Sequence, residues 1–162
     1  MEPGDLAPEQ VFLRYAFPCA HLILEDKRIS QKQFEYLRRA ALKGERIPKL
    51  KLEKIFPAAF RRLKETSAMS GLDYWSVEAV RNYFRNHHED YIKANDGSYK
   101  MFGPTLKGLC KVRKARIERI IRKGIGEAKV GNSTRPVFLN LVPDAKPGDE
   151  VYIHYAYAVE KA

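Results

Sequence analysis

The residues of this 162-residue chain best suited to soft-ligand or nucleophilic chemistry are two cysteines and four histidines. Cys19 and His21 set a thiol and an imidazole two residues apart. On a helix that spacing points them to different faces, so core packing competes with metal binding there. His87-His88-Glu89-Asp90 is a polar cluster near the expected end of a helix. Adjacent histidines on a helix seldom share one site, and no helical His-x-x-x-His spacing is present, so a solvated face is the simpler expectation. Cys110 stands far from Cys19, and two such thiols are not a disulfide framework. Each is either a buried apolar residue or a functional thiol. No phosphate-binding glycine loop, zinc-finger spacing or nucleophile elbow occurs in the sequence, and no catalytic residue is assigned. The chain is therefore expected not to be an enzyme.

Charge supplies a second kind of candidate. The net charge is +10, and residues 107–123 hold eight basic side chains against one acid, Glu118. The eight are Lys107, Lys111, Arg113, Lys114, Arg116, Arg119, Arg122 and Lys123. Residues 125–162 are near neutral, with four basic and five acidic side chains. A strip of this kind attracts phosphates or an acidic protein surface, or serves as a solvated face.

The elements that must carry these groups fall into two halves. Apolar residues at Val11, Phe12, Tyr15, Ala16, Cys19, Leu22 and Ile23 follow helical spacing, with Pro18 predicting a kink or two short helices. Ser30 and Gln33 form a capping-box pattern before Phe34, Leu37 and Ala41, and Gly44 is a natural stop. A third helix is expected over residues 51–65, with Pro57 able to start a separate one, and a fourth over residues 75–94 capped by Ser76. After Gly103-Pro104 the pattern changes. Residues 135–141 and 150–159 are β-branched, aromatic and alternating, with the Pro147-Gly148 turn between them. Residues 105–123 fit both helical and strand periodicity. The expectation is an α+β protein: an N-terminal α-helical domain over residues 1–104, then a small OB-like β-barrel over residues 105–162. No apolar run reaches a membrane-span length of about 18 to 20 residues. Residues 1–8 are acidic and proline-bearing, without the basic-then-apolar order of a signal peptide, so a cytoplasmic protein is expected.

The C-terminal text carries a resemblance. It runs Leu109-Cys110, then Leu141-Val-Pro143-Asp-Ala-Lys-Pro147-Gly148-Asp149, then Val151-Tyr-Ile-His154. Over about 54 residues it is similar to the HypC/HupF family, chaperones of nickel–iron hydrogenase assembly. Members begin Met-Cys, carry a Leu-Val-Pro and Lys-Pro-Gly-Asp stretch, and place a histidine on the last strand. Cys110 lies within the chain instead of after an initiator Met, and Ala156 stands where the family has glycine. The resemblance implies an OB-like barrel, with strand over residues 115–121. It also implies that Cys110 is a thiolate contact for a partner or a transient iron fragment, with His154 as its neighbour. Lys111, Arg113 and Lys114 would then lower the Cys110 pKa by stabilising the anion. No resident cofactor follows. The implied partners are a maturation scaffold of the HypD type or a metalloenzyme large-subunit precursor, steered by the basic strip.

An accessory chaperone for metalloenzyme maturation is thus the first expectation. The alternative is a nucleic-acid-binding protein whose barrel presents Tyr152, Tyr155 and Tyr157 beside the same basic segment.

Overall fold

The computed structural model describes residues 6–162, so residues 1–5 of the segment read for targeting lie outside it. Helices occupy the N-terminal part and a closed five-strand barrel the C-terminal part, an α+β architecture. Among the described residues, no helix is long and apolar enough to cross a membrane.

Helix α1 (Pro8–Ala16) and helix α2 (Ala20–Glu25) are separated by a single 3-10 turn over Phe17–Cys19. Pro18 has no N–H to give an α-helical ladder, so the chain tightens there instead of running on. Helix α3 (Gln31–Lys43) starts at the expected capping box: the Gln33 N–H donates to Ser30 Oγ at 3.1 Å, and the Ser30 N–H donates to the Gln33 side chain at 2.8 Å. It stops at Gly44, whose φ of 69° is a left-handed conformation that a side chain resists. Ser30→Ala should lower stability by about 1 kcal/mol, read as a lower urea midpoint at unchanged slope. An unmoved midpoint would mean the cap contributes nothing.

Helices α4 (Lys49–Ile55) and α5 (Pro57–Ser70) are distinct, with Phe56 outside helical geometry and Pro57 opening the second. Helix α6 (Val77–Asn82) begins at Ser76, whose Oγ accepts from the Ala79 N–H at 3.1 Å. It leads into a π-helical turn over Tyr83–His87 and then helix α7 (His88–Lys93). A wide turn of this kind shifts the phase of everything after it. A 3-10 turn over Gly97–Met101 precedes helix α8 (Pro104–Cys110). The ambiguous stretch therefore divides: helix to Cys110, strand from Arg113.

The barrel comprises β1 (Arg113–Arg122), β2 (Ile125–Val130), β3 (Ser133–Phe138), β4 (Glu150–His154) and β5 (Tyr157–Lys161). They close in the order β1-β2-β3-β5-β4, with β4 returning to pair with β1. Strand β3 meets β5 in parallel at Phe138 and Tyr157. This is a small OB-like barrel, filled by Ala115, Ile117, Ala128, Val137, Val151 and Ile153 among others. Residues 150–159 were expected as one strand. They form a hairpin, because Tyr155 takes a φ of 59° and turns the chain before Tyr157. Aromatic alternation survives such a tight turn, so the pattern concealed it.

The helices do not stand apart from the barrel. Val112, Leu141 and Val159 belong to the same buried cluster as Phe12, Phe17, Phe60 and Phe84. That shared core sets the geometry of the junction.

Candidate functional site at the junction of helices and barrel

Strand β4 delivers His154 into this junction, where its side chain is fully buried. Its Nδ1–H donates to the Tyr15 carbonyl at 2.6 Å. A carbonyl only accepts, so the proton sits on Nδ1 and Nε2 keeps its lone pair. Cys19 Sγ lies 3.4 Å from Nε2 and donates its thiol hydrogen there. Burial brings the His154 pKa down to about 4, although the facing carbonyls of Tyr15 and Cys110 oppose this. Burial likewise pushes the Cys19 thiol far above its ordinary value; nearby Cys110 adds to that and Arg62 opposes it. The resting pair is a neutral thiol on a neutral imidazole.

Cys110, the thiol expected to face a partner, is fully buried at the end of α8 against Ile92 and Tyr99. Desolvation raises its pKa to about 11. The lowering expected from Lys111, Arg113 and Lys114 is absent. Lys111 pairs with Glu89 at 3.2 Å and Lys114 with Glu150 at 3.1 Å, while the thiol itself is enclosed by apolar groups. Charges adjacent in sequence do not act on a thiol that points the other way. Cys110 still belongs to the His154 neighbourhood, through its carbonyl rather than its sulfur.

Cys19 and His154 line a cavity of about 100 Å³ together with Arg62, Tyr83, His88 and Tyr99. Exposed Asp26, Arg28 and Ser98 also line it, so it reaches the surface. A relay of hydrogen bonds crosses its wall. Arg62 Nη1 donates to Tyr99 OH at 3.3 Å, and Tyr99 OH lies 3.1 Å from His88 Nε2. Arginine has only donors, so the tyrosine hydroxyl accepts from it and gives its own proton to Nε2. His88 therefore carries its hydrogen on Nδ1, and that atom is buried without a partner. The Tyr83 hydroxyl is also buried, with the Arg62 guanidinium beside its oxygen and no acceptor for its hydrogen. Burial, His154 and Arg62 together hold the His88 pKa well below its ordinary value. His88 was expected on a solvated face, yet it is 2% exposed. It lies four residues after Phe84 and eight after Val80, both buried, so helical spacing sets it on their inward face. Among the described residues, no group of three or more His, Cys, Asp or Glu side chains is arranged to hold a metal ion.

A buried clamp fixes the junction. Glu160 on β5 accepts from Arg81 Nη2 at 2.6 Å, Arg85 Nη2 at 2.5 Å and Tyr15 OH at 2.9 Å. Burial alone would raise its pKa, but the hydrogen bonds from Arg81 and Tyr15 and the two arginine charges bring it below the usual carboxylate value. The three barrel tyrosines are used here too. Tyr152 lies under Arg85, with the guanidinium 4.0 Å from its ring centroid. Tyr157 meets Phe17 edge-on at 5.5 Å, and Tyr155 packs beside Ile92, Tyr99 and Cys110.

The basic strip lies mainly along β1, away from the cavity. Lys107 bonds the Asn95 side chain, and Arg119 pairs with Glu127 at 3.3 Å. Among the described residues, Arg113, Arg116, Arg122 and Lys123 have no carboxylate partner, and all four are exposed. Pairing between β1 and β2 shifts register between Ile117 and Arg119 and again between Ile120 and Arg122. Bulges break the alternation of a strand, which leaves Ile120 and Ile121 41% and 44% exposed side by side. Arg135 on β3 stands near Arg113; burial first, then that like charge, lowers its pKa, and its Nε and Nη2 have no partner.

The resemblance set His154 beside Cys110; the sulfur that faces it is Cys19, and neither Cys19 nor His88 was singled out for this cavity. Pro18 was the available signal for Cys19, because it ends α1 and turns the thiol out of the helix face. Compared with known protein families the chain matches none, and no curated protein sequence matches it either.

Proposed function

We propose that this protein is a non-enzymatic accessory protein of the cytoplasm that docks on an acidic protein surface through the end of its β1–β2 hairpin. The observation that carries this reading is the exposed pair Ile120 and Ile121 beside exposed, carboxylate-free Arg122 and Lys123, with Arg116 and then Arg113 continuing the basic row back along β1. Basic residues around an apolar tip suit an interface that gains steering from charge and affinity from burial. Two neighbouring large apolar side chains exposed on a bulged hairpin are unusual for a merely solvated face. The resemblance to HypC/HupF supplies the partner class: a metalloenzyme precursor or the scaffold that matures it. The contact is assigned to the charged hairpin rather than to Cys110, since a thiol enclosed by Ile92 and Tyr99 would have to be uncovered first. Nucleic acid is the less favoured partner, because Tyr152, Tyr155 and Tyr157 are packed against the helices and are not free to stack on bases.

The test is capture from native lysate under anaerobic conditions with wild type, Arg116→Glu/Arg122→Glu and Cys110→Ala. Wild type and Cys110→Ala should both retain a maturation scaffold or metalloenzyme subunit, and the charge-reversed protein should lose it. Retention of nucleic acid or ribosomal proteins by wild type, with no such subunit, would overturn the reading.

A further inference from the structure

The junction cavity holds the parts of a carbonyl-binding nucleophilic site, and the docking function makes no use of them. Cys19 is the nucleophile, only partly exposed at 3.4 Å from His154 Nε2. His154 is the base, held in the right tautomer by the Tyr15 carbonyl at 2.6 Å. Tyr83 OH and His88 Nδ1–H are two donors with no acceptor in the protein, fully or almost fully buried and lining the same cavity. Buried polar atoms without partners are uncommon in folded proteins, and two donors on one cavity wall point to an acceptor that arrives with a ligand. The π-helical turn that presents both of them is itself a feature that recurs at functional sites. Arg62 is not free to bind an anion, since it donates to Asp96 and Tyr99. A neutral carbonyl oxygen is therefore the matching acceptor.

We propose that the cavity is an acylation site, in which Cys19 accepts a small acyl group from an activated ester or thioester. Sγ attacks the carbonyl carbon, and its proton passes to His154 Nε2. The carbonyl π pair moves to oxygen, where Tyr83 OH and His88 Nδ1–H donate to it. The bond to the leaving oxygen or sulfur then breaks, and the proton on His154 goes to that leaving atom. The product is an S-acyl thioester on Cys19, with no net oxidation or reduction. A cavity of about 100 Å³ limits the acyl chain to a few heavy atoms, with the leaving group directed toward the exposed mouth at Asp26, Arg28 and Ser98.

The test uses p-nitrophenyl acetate and the full-length protein, following nitrophenolate release and locating the acetyl group by peptide mass. Wild type and Cys110→Ala should each take up one acetyl group on Cys19, and Cys19→Ala should not. His154→Gln should slow acetylation roughly 10-fold, less than a base with a pKa near neutrality would contribute, because burial holds the imidazole pKa at about 4. Because His154 is buried, Tyr83→Phe is the decisive variant. It removes a hydroxyl whose hydrogen has no acceptor in the protein and leaves Arg62 its bonds to Asp96 and Tyr99, and should slow acetylation on the order of 100-fold while the melting temperature holds. Acetylation of Tyr83→Phe at the wild-type rate would overturn the proposal. So would a folded Cys19 that reacts no faster than the same residue in the urea-unfolded chain.

Discussion

Replacing Glu160 with alanine should lower the unfolding free energy by about 3 kcal/mol, the low end of the cost of breaking a buried ion pair. The carboxylate is nearly buried and accepts from three side chains that come from two separate helical elements, α1 and the segment of α6 with its π turn. Removing it leaves Arg81 and Arg85 facing each other at the junction, and leaves Tyr15 OH with one fewer partner. Both arginines keep some contact with water, at 29% and 24% exposure, which holds the cost below that of a fully enclosed pair. The comparison is Glu150→Ala, whose pairing with Lys114 is more than half exposed on both sides and should contribute under about 0.5 kcal/mol. Urea unfolding of the two variants checks the difference. A loss below about 1 kcal/mol for Glu160→Ala would mean that the apolar core alone joins helices to barrel.

Acidification should destabilise the protein above the range in which its carboxylates titrate. His154 has an ordinary pKa of 6.5 and a native value of about 4 because it is buried. Above pH 6.5 the ring is neutral in both states and contributes no slope. As the pH falls below 6.5 the unfolded chain binds a proton that the native state refuses, so stability declines until the native value is reached. Between pH 7 and pH 5 this amounts to about 2 kcal/mol for His154. His88 acts in the same direction, since burial, His154 and Arg62 all disfavour its proton. Glu160 acts in a lower window: its native pKa is depressed, so its contribution is lost as the pH falls from the ordinary carboxylate value through the native one. Urea midpoints at pH 7 and pH 5 test this, with His154→Gln showing the smaller drop. An equal drop in both proteins would place the acid sensitivity elsewhere.

Local signals in the sequence were reliable where one residue's chemistry decides an outcome. Pro18, the Ser30–Gln33 box, Gly44 and Ser76 each act through a backbone group within four positions, and each does so here. The barrel was legible from β-branched alternation and turn residues, because a small closed sheet must bury every second side chain. Signals failed where neighbours outweighed phase or where phase was lost. His88 was read as solvated from its polar neighbours, although it stands four residues after buried Phe84 on the inward helical face. The bulges in β1 exposed Ile120 and Ile121 together, although alternation would bury one of them. The positive φ of Tyr155 split an aromatic run into two strands. The site itself was half legible. His154 was named through the resemblance alone, and its partner Cys19 lies 135 residues away, so that only the packing of α1 and α2 on the barrel brings them together.

The most direct measurement is site-directed photo-crosslinking in native cells, with a photoreactive residue replacing Ile121 near the exposed tip of the β1–β2 hairpin. The adduct should be a metalloenzyme precursor or its maturation scaffold, attached through an acidic surface, and it should disappear when Arg116 and Arg122 are reversed to glutamate. Adducts with RNA or DNA, or none at Ile121, would contradict the docking account.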